Sequence, residues 1–429
     1  MITMGMWPLN DRYVSTGFAA AMASPYLKGV FSDPLLCAAI EEIETLGLRI
    51  SDEPHPGSEP YGVLTGHERS RAWLVPLRPH AVSISSLALI QPLRSGARAL
   101  KHTAVAAAGI GLPWYGFGQR LHISGDHCLT SSLGSSFTHC AFFSGTAGPH
   151  RKLVVQLMDG RGVIHGYAKV SHTPAVHSLL ENEADIMREM HAANLRSAII
   201  PKVLLYEKRN GTAILATDTN KSSARLCRLT HLHLDFLREL AERTSLGSSV
   251  SAAALSGDGH SRLQELEPYL SADWRARLQR WLDFLSRREE LIAPLGLAHG
   301  DFTPSNVFPH PKRLCVIDWE YADAGYPADY DLIHFLFSLR GLEGSPPAIR
   351  CNRVYRTLID TLDRSADEAH ARLIAYLCAR VFFLAGRRLR QQGMRLHWEG
   401  ERELALMLDA LSESPKAFAI RLDQPVRGP

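Results

Sequence analysis

Two short segments carry residue types that could do chemistry together: His299-Gly300-Asp301-Phe302-Thr303-Pro304-Ser305-Asn306 and Val316-Ile317-Asp318-Trp319-Glu320. They place an Asp, an Asn five residues later, and a second Asp at the end of an apolar run. Phosphoryl transfer from a nucleotide needs this set: one carboxylate to orient and deprotonate a hydroxyl, and an amide with a second carboxylate to hold Mg²⁺. Asp301 is the candidate base, because a carboxylate there can take the proton of an attacking hydroxyl and aim it in line. Asn306 lies far enough along for the loop to turn and present its side-chain oxygen to a metal. Asp318 ends the apolar strand Leu314–Ile317, which fixes its position as a Mg²⁺ ligand requires. Pro304 stiffens the loop, and Gly300 allows close backbone approach.

The rest of the chain must position these groups. At 429 residues it is long enough for two or three domains with more than one core. A composition of 45% hydrophobic and 21% charged residues is that of a globular protein. The net charge of +3 gives no support to a nucleic-acid or membrane-surface role. Most of the 47 basic residues are Arg, so a Lys at a strategic position is informative. The seven Cys are scattered, odd in number and never spaced as CxxC, which fits neither a disulfide framework nor a structural zinc site. Ala21-Met22-Ala23 resembles a signal-peptidase site, but no basic region and no sustained apolar core precede it. The uncharged stretch Thr103–Gly118 is short and broken by Pro113. The expectation is a cytoplasmic protein with no nucleic-acid or membrane partner.

Three regions can be distinguished. Residues 1–118 form an N-terminal extension with a helical pattern over about Asp33–Leu46, strand-like pieces at Tyr61–Leu64 and Ala72–Pro76, and a helix expected over about Leu93–Ala108. Residues 119–217 are strand-rich. Phe137–Ser144, Leu153–Met158 and Val163–Val170 are three apolar runs, the last two joined by the turn signal Asp159-Gly160-Arg161-Gly162. A helix over about Ala175–Ala193 and strands at Lys202–Glu207 and Ala213–Ala216 follow. Residues 218–429 are mainly helical, with periodic stretches at Leu232–Arg243, Ser261–Leu291, Arg350–Leu362 and Asp367–Gln392. The Ser-, Ala- and Gly-rich span Ser245–Gly259 reads as a flexible connector.

The HGDF and IDWE segments, set among helices and preceded by strand, strand, strand, helix, strand, strand, resemble the aminoglycoside phosphotransferase and choline kinase-like family. Its members are relatives of protein kinases whose catalytic loop reads HGD where protein kinases read HRD. The close motif match covers about Leu297–Phe337, and the lobe pattern extends it more loosely over residues 135–410. The resemblance implies an α+β, bilobal protein kinase-like fold with a small β-rich lobe and a large helical lobe. It implies Asp301 as base, Asn306 and Asp318 as Mg²⁺ ligands, and ATP or GTP as donor. It also implies a Lys for the phosphates, matched by Lys169 in Gly166-Tyr167-Ala168-Lys169-Val170, and a Glu to hold that Lys. Glu183 sits at the family's usual position, with Glu181 as the competitor. The segment Gly145-Thr146-Ala147-Gly148-Pro149-His150-Arg151-Lys152 stands where a phosphate-covering loop joins the first two strands. It lacks the GxGxxG form, so Gly145 and Gly148 belong either to that loop or to a plain turn. Asp218 lies in the segment expected to meet the nucleotide base, Ala216-Thr217-Asp218-Thr219-Asn220, which departs from the family's acidic-plus-Gly hinge.

The clues to the acceptor conflict. Glu320, Asp323 and Asp329 would suit a cationic compound, or else brace structure, while Asp331 resembles a position that caps and braces. Arg380 falls on the apolar stripe of its helix, where it needs either an ion-pair partner or an anionic substrate. The leading expectation is a Mg²⁺-dependent transfer of a γ-phosphoryl group to a hydroxyl of a small molecule. The alternative is a kinase-like nucleotide-binding regulator or scaffold with little or no turnover.

Overall fold

The computed structural model describes residues 34–411, apart from 67–70, 91–98, 100, 104, 107–119, 127, 134–136, 223, 225, 245–252, 293–295, 340–344 and 393–399. Most of the helix expected over 93–108 lies outside the described residues.

The strands in chain order are β1 (Arg49–Ser51), β2 (Glu59–Thr65), β3 (Ala72–Pro76), β4 (Arg120–Ser124), β5 (His139–Phe143), β6 (Leu153–Met158), β7 (Ile164–Ser171), β8 (Ala198–Ile199), β9 (Val203–Arg209), β10 (Thr212–Asp218), β11 (Val307–His310) and β12 (Arg313–Val316). Among the described residues, nine of them form one sheet in the order β1-β4-β2-β3-β5-β6-β7-β10-β9. The strands of the N-terminal part are therefore continuous with those of the small lobe, and the junction is the antiparallel pairing of Trp73 with Phe143 and Leu74 with Phe142. A boundary at residue 118 runs through this sheet, because β4 pairs with both β1 and β2.

Strand alternation decides what each face does. In β7, Ala168 and Val170 point into a core shared with Val155 and Leu157 of β6, while Lys169 points to the other face. Helix α1 (Pro34–Thr45) supplies Leu36, Ile40 and Ile43 to that same core. On the opposite face lies α2 (Pro174–Ala193). Pro174 opens it, and Asn194 ends it with a left-handed φ of 50°. Its Val176, Leu180 and Ala184 pack against Ala213 and Leu215 of β10. Full burial of one such Leu contributes about 1.5–3 kcal/mol. Glu183 rides on this apolar face and is carried into the interior with it.

The C-terminal part is helical. Helix α3 (His231–Thr244) packs beside the hairpin β11–β12, which is joined in parallel by β8. Helix α4 (Tyr330–Phe337) is apolar nearly all round, and all but its last residue are buried at the centre of the lobe. Helix α5 (Ala366–Gln392) crosses the same core. Its span Ala366–Arg387 is long and apolar enough to cross a membrane, and 72% of that window is buried inside the fold.

Two expectations fail here. The periodic stretch Ser261–Leu291 is not one helix. It breaks at the turn Glu267–Tyr269 around Pro268, and Ser271 caps a new helix by accepting from the Trp274 N–H at 3.3 Å. The span Ser245–Gly259 is not wholly a connector, since a helix runs over Ala253–Leu266. Ala is the best helix former, and Leu263 and Leu266 anchor this helix in the core.

Candidate active site

The loop between residues 298 and 306 is fixed from beneath. The Asp331 carboxylate, buried on α4, accepts from the backbone N–H of His299 at 2.6 Å and of Gly300 at 3.0 Å. Burial pushes the Asp331 carboxyl up to about 6, against the pull of those two N–H groups. Gly300 has φ +80°, and a Cβ there would collide with the Tyr321 carbonyl oxygen. His299 is fully buried against Trp319, with ring centroids 4.6 Å apart. Its Nε2 donates to the Ile317 carbonyl at 2.9 Å and its Nδ1 accepts from the Asp301 N–H at 3.3 Å. Both bonds fit a neutral imidazole, as does burial, which lowers its pKa.

On this platform stands Asp301. One carboxylate oxygen accepts from the Asn306 amide at 2.9 Å, and the other meets His334 Nε2 at 3.1 Å. Asn306 also donates to the Asp301 carbonyl at 3.0 Å. The backbone carbonyl of Asn306 accepts from Ile317 N–H at 3.0 Å, which ties the loop to the strand that delivers Asp318.

Asp318 adopts φ +70°, a left-handed conformation that a non-glycine residue keeps only when its surroundings enforce it. Lys169 enforces it from the sheet: its Nζ lies 2.5 Å from Asp318 Oδ1 and 2.6 Å from both carboxylate oxygens of Glu183. Lys152 pairs with Glu320 and stands 3.9 Å from Asp318. Three carboxylates thus surround two ammonium groups. Burial works against the charge of Lys169, yet Asp318, Glu183 and Glu320 outweigh it and hold the ammonium well above its ordinary value. Burial also opposes ionisation of Asp318, but Lys169 and Lys152 hold its carboxyl well below the usual range. For Glu183 burial dominates over Lys169 and raises the carboxyl.

The structure therefore joins Lys169, Glu183 and Asp318 in one cluster and Asp301 with Asn306 in another, with His299 between them. Glu181 is turned outward to Lys208 at 2.8 Å. Gly145 has φ +78°, and a Cβ there would strike the Lys152 carbonyl, so the loop closes tightly at its base. Gly148 touches nothing within 4 Å of where its Cβ would be. Arg151 is clamped between Glu42 of α1 at 2.7 Å and the Ser144 carbonyl at 2.6 Å. His150 reaches Tyr321 OH at 2.7 Å. Asp218 is elsewhere: its carboxylate accepts from Lys202 N–H at 2.6 Å, and no hydrogen bond among the described residues links it to the Lys169 cluster.

Of the acids weighed for an acceptor, Glu320 is buried with Lys152, and Asp329 is held by Arg372 at 2.7 Å and Arg364 at 3.4 Å. Sequence reasoning passed over His334, Tyr376 and Glu42. The available signal for His334 was a His inside the otherwise apolar Tyr330–Phe337, three residues after Asp331.

Carboxylate oxygens of Glu183, Asp318 and Glu320 lie within 4.8 Å of one another, a hard donor set that fits Mg²⁺. A family model described as Phosphotransferase enzyme family matches residues 141–366, just over half of the chain. No curated protein sequence matches the chain. Similar solved structures include the following three. A thermostable aminoglycoside phosphotransferase mutant, in complex with ADP and hygromycin B, is 14% identical with a TM-score of 0.44, over 69% of this chain and 98% of its own. A putative fructosamine-3-kinase from Haemophilus somnus is 14% identical with a TM-score of 0.42, over 66% and 93%. An aminoglycoside phosphotransferase from Alicyclobacillus acidocaldarius is 15% identical with a TM-score of 0.36, over 68% and 93%.

Proposed function

The chain belongs to the phosphotransferase enzyme family, and from that premise we propose that it transfers the γ-phosphoryl group of ATP or GTP, with Mg²⁺, to a hydroxyl of a small molecule. The observation that carries this reading is Lys169 bonded at once to Glu183 and Asp318, beside an Asp301 held by Asn306 and His334.

In this reading Asp301 receives the acceptor. Each of its carboxylate oxygens takes one hydrogen bond from the protein and keeps a lone pair for the substrate. The hydroxyl oxygen forms a bond to the γ-phosphorus while the bond from that phosphorus to the bridging oxygen breaks. The electron pair leaves with the nucleoside diphosphate, and the hydroxyl proton passes to Asp301. Lys169, kept charged by its acidic neighbours, is placed to exchange Asp318 for phosphate oxygens, with Glu183 holding its Nζ from behind. Asp318 with Asn306 would hold Mg²⁺, Glu320 lying close enough to assist, and the ion would neutralise charge on the phosphates. Gly145 and Gly148 form the loop over the phosphates, and the backbone around Asp218 receives the nucleotide base.

The alternative of a non-catalytic nucleotide-binding protein draws no specific support, since both clusters are complete. The test is a pair of variants. Asp301→Asn should retain Mg²⁺–nucleotide binding and lose roughly 10²–10⁴-fold in turnover, whereas Asp318→Ala should weaken metal-dependent nucleotide binding itself. Full turnover by Asp301→Asn with a verified acceptor would sink the proposal.

A further inference from the structure

Helix α5 presents Arg380, Phe383 and Arg387 at spacings of three and four residues, on one face. The Arg387 guanidinium lies 5.4 Å from the Phe383 ring centre and 5.7 Å from that of Tyr321, and those two rings meet edge to face at 4.9 Å. Arg380 lies 5.0 Å from the Phe383 ring and faces Tyr330, Tyr376 and the charge of Asp301. Neither Arg has a carboxylate within ion-pair distance among the described residues; Arg380 is half-buried, with Tyr330 as a side-chain partner and the charge of Asp301 nearby. A half-buried guanidinium with no ion-pair partner has charge to satisfy, and one stacked on rings keeps N–H groups at its edge for a carboxylate or phosphate.

The acids nearby cannot serve as that counter-charge. Asp329 is held by Arg372 and Arg364, Asp331 by the loop N–H groups, and Glu320 by Lys152. Asp301 faces the reacting hydroxyl, and Asp323 is exposed, with one carboxylate oxygen accepting from Gly325 N–H at 3.2 Å. Arg380 lies close enough to Asp301 to act on its charge, and Arg387 and Asp301 both act on Tyr321, so a cationic acceptor at Asp301 would meet repulsion.

Resting on the phosphotransferase reading, we propose that the acceptor carries an anionic group, carboxylate or phosphate, held by Arg380 and Arg387 while its hydroxyl meets Asp301. The aromatic rings of Tyr321 and Phe383 give the floor on which its carbon skeleton lies.

The test uses the full chain loaded with Mg²⁺ and a non-hydrolysable ATP analogue. Calorimetry compares gluconate and glucose 6-phosphate with glucose, glucosamine and choline, and nucleotide consumption with MgATP is followed in parallel. The anions should bind more tightly than the neutral and cationic probes, and gluconate against glucose 6-phosphate separates carboxylate from phosphate. Arg380→Gln and Arg387→Gln should weaken anion binding roughly tenfold or more, the loss expected for a charged hydrogen bond. Lys at either position should restore part of the loss, and nucleotide affinity should not move. If Arg380→Gln lowers the melting temperature, Arg387→Gln nearer the surface decides. Equal or tighter binding of the amines, anion binding indifferent to both substitutions, or no anion binding at all overturns the proposal. Anion binding without phosphoryl transfer would instead count against the phosphotransferase reading alone.

Discussion

His334 Nε2 lies 3.1 Å from one carboxylate oxygen of Asp301, while its Nδ1 lies 2.9 Å from the Tyr376 hydroxyl. Burial holds this imidazole below its ordinary pKa, against the pull of Asp301, and so favours the neutral ring. A neutral ring must donate at one nitrogen and accept at the other. Asp301 only accepts, so the proton sits on Nε2 and Tyr376 donates to Nδ1. The chain Tyr376–His334–Asp301 therefore fixes the orientation of the Asp301 carboxylate.

His334→Leu should lower kcat by roughly 10–100-fold through misplacement of Asp301, with nucleotide affinity unchanged. Steady-state kinetics beside a nucleotide-binding titration would show this, and a change confined to KM for nucleotide would contradict it. Tyr376→Phe removes only the outer bond and should cost less.

The two candidate glutamates of α2 separate cleanly. Glu183 is buried with both oxygens 2.6 Å from Lys169, and Glu181 pairs with Lys208 near the surface. Glu183→Gln should weaken nucleotide binding roughly tenfold or more, because Lys169 loses its charged brace. Glu181→Gln breaks a surface pair worth at most about 1 kcal/mol and should leave binding unchanged. Identical titrations for the two variants would show that the Lys169–Glu183 contact does not position nucleotide.

Glu42 gives a pH signature. Burial outweighs the nearby Arg151 and raises its carboxyl to about 7 from 4.5. A raised carboxyl binds its proton more tightly in the folded chain than in the unfolded one. Its contribution to stability is therefore full below pH 4.5 and is lost as pH rises towards 7. The slope is at most about 1.4 kcal/mol per pH unit. Denaturant unfolding across this window should show that decline in the native protein and a flatter curve in Glu42→Gln. Parallel curves would mean that Glu42 titrates normally.

Much of the candidate site was legible because it is local. The loop from His299 to Asn306 and the strand ending at Asp318 are read directly from residue order, and Lys169 is implied by the family resemblance, with few lysines competing for the place. The spacing of Glu181 and Glu183 could not say which faced inward. The answer lies in which side of α2 packs on β10, a long-range fact. His334 and Glu42 escaped for the same reason. Each acts on a residue far away in the chain, Asp301 and Arg151, and only the fold makes the pair. Pro268 breaks the helix inside a stretch whose apolar period continues across it, so periodicity alone does not show the break.

The pairing of β3 with β5 has a consequence for what counts as a removable part. Without the first strands, β5 would become an open rim of unpaired N–H and C=O groups, and the core under β6 and β7 would lose the lid of α1. Open rims recruit other strands, including those of identical copies. The first strands are thus part of the small lobe's own sheet, and cutting them away is expected to expose an edge that the intact chain keeps paired.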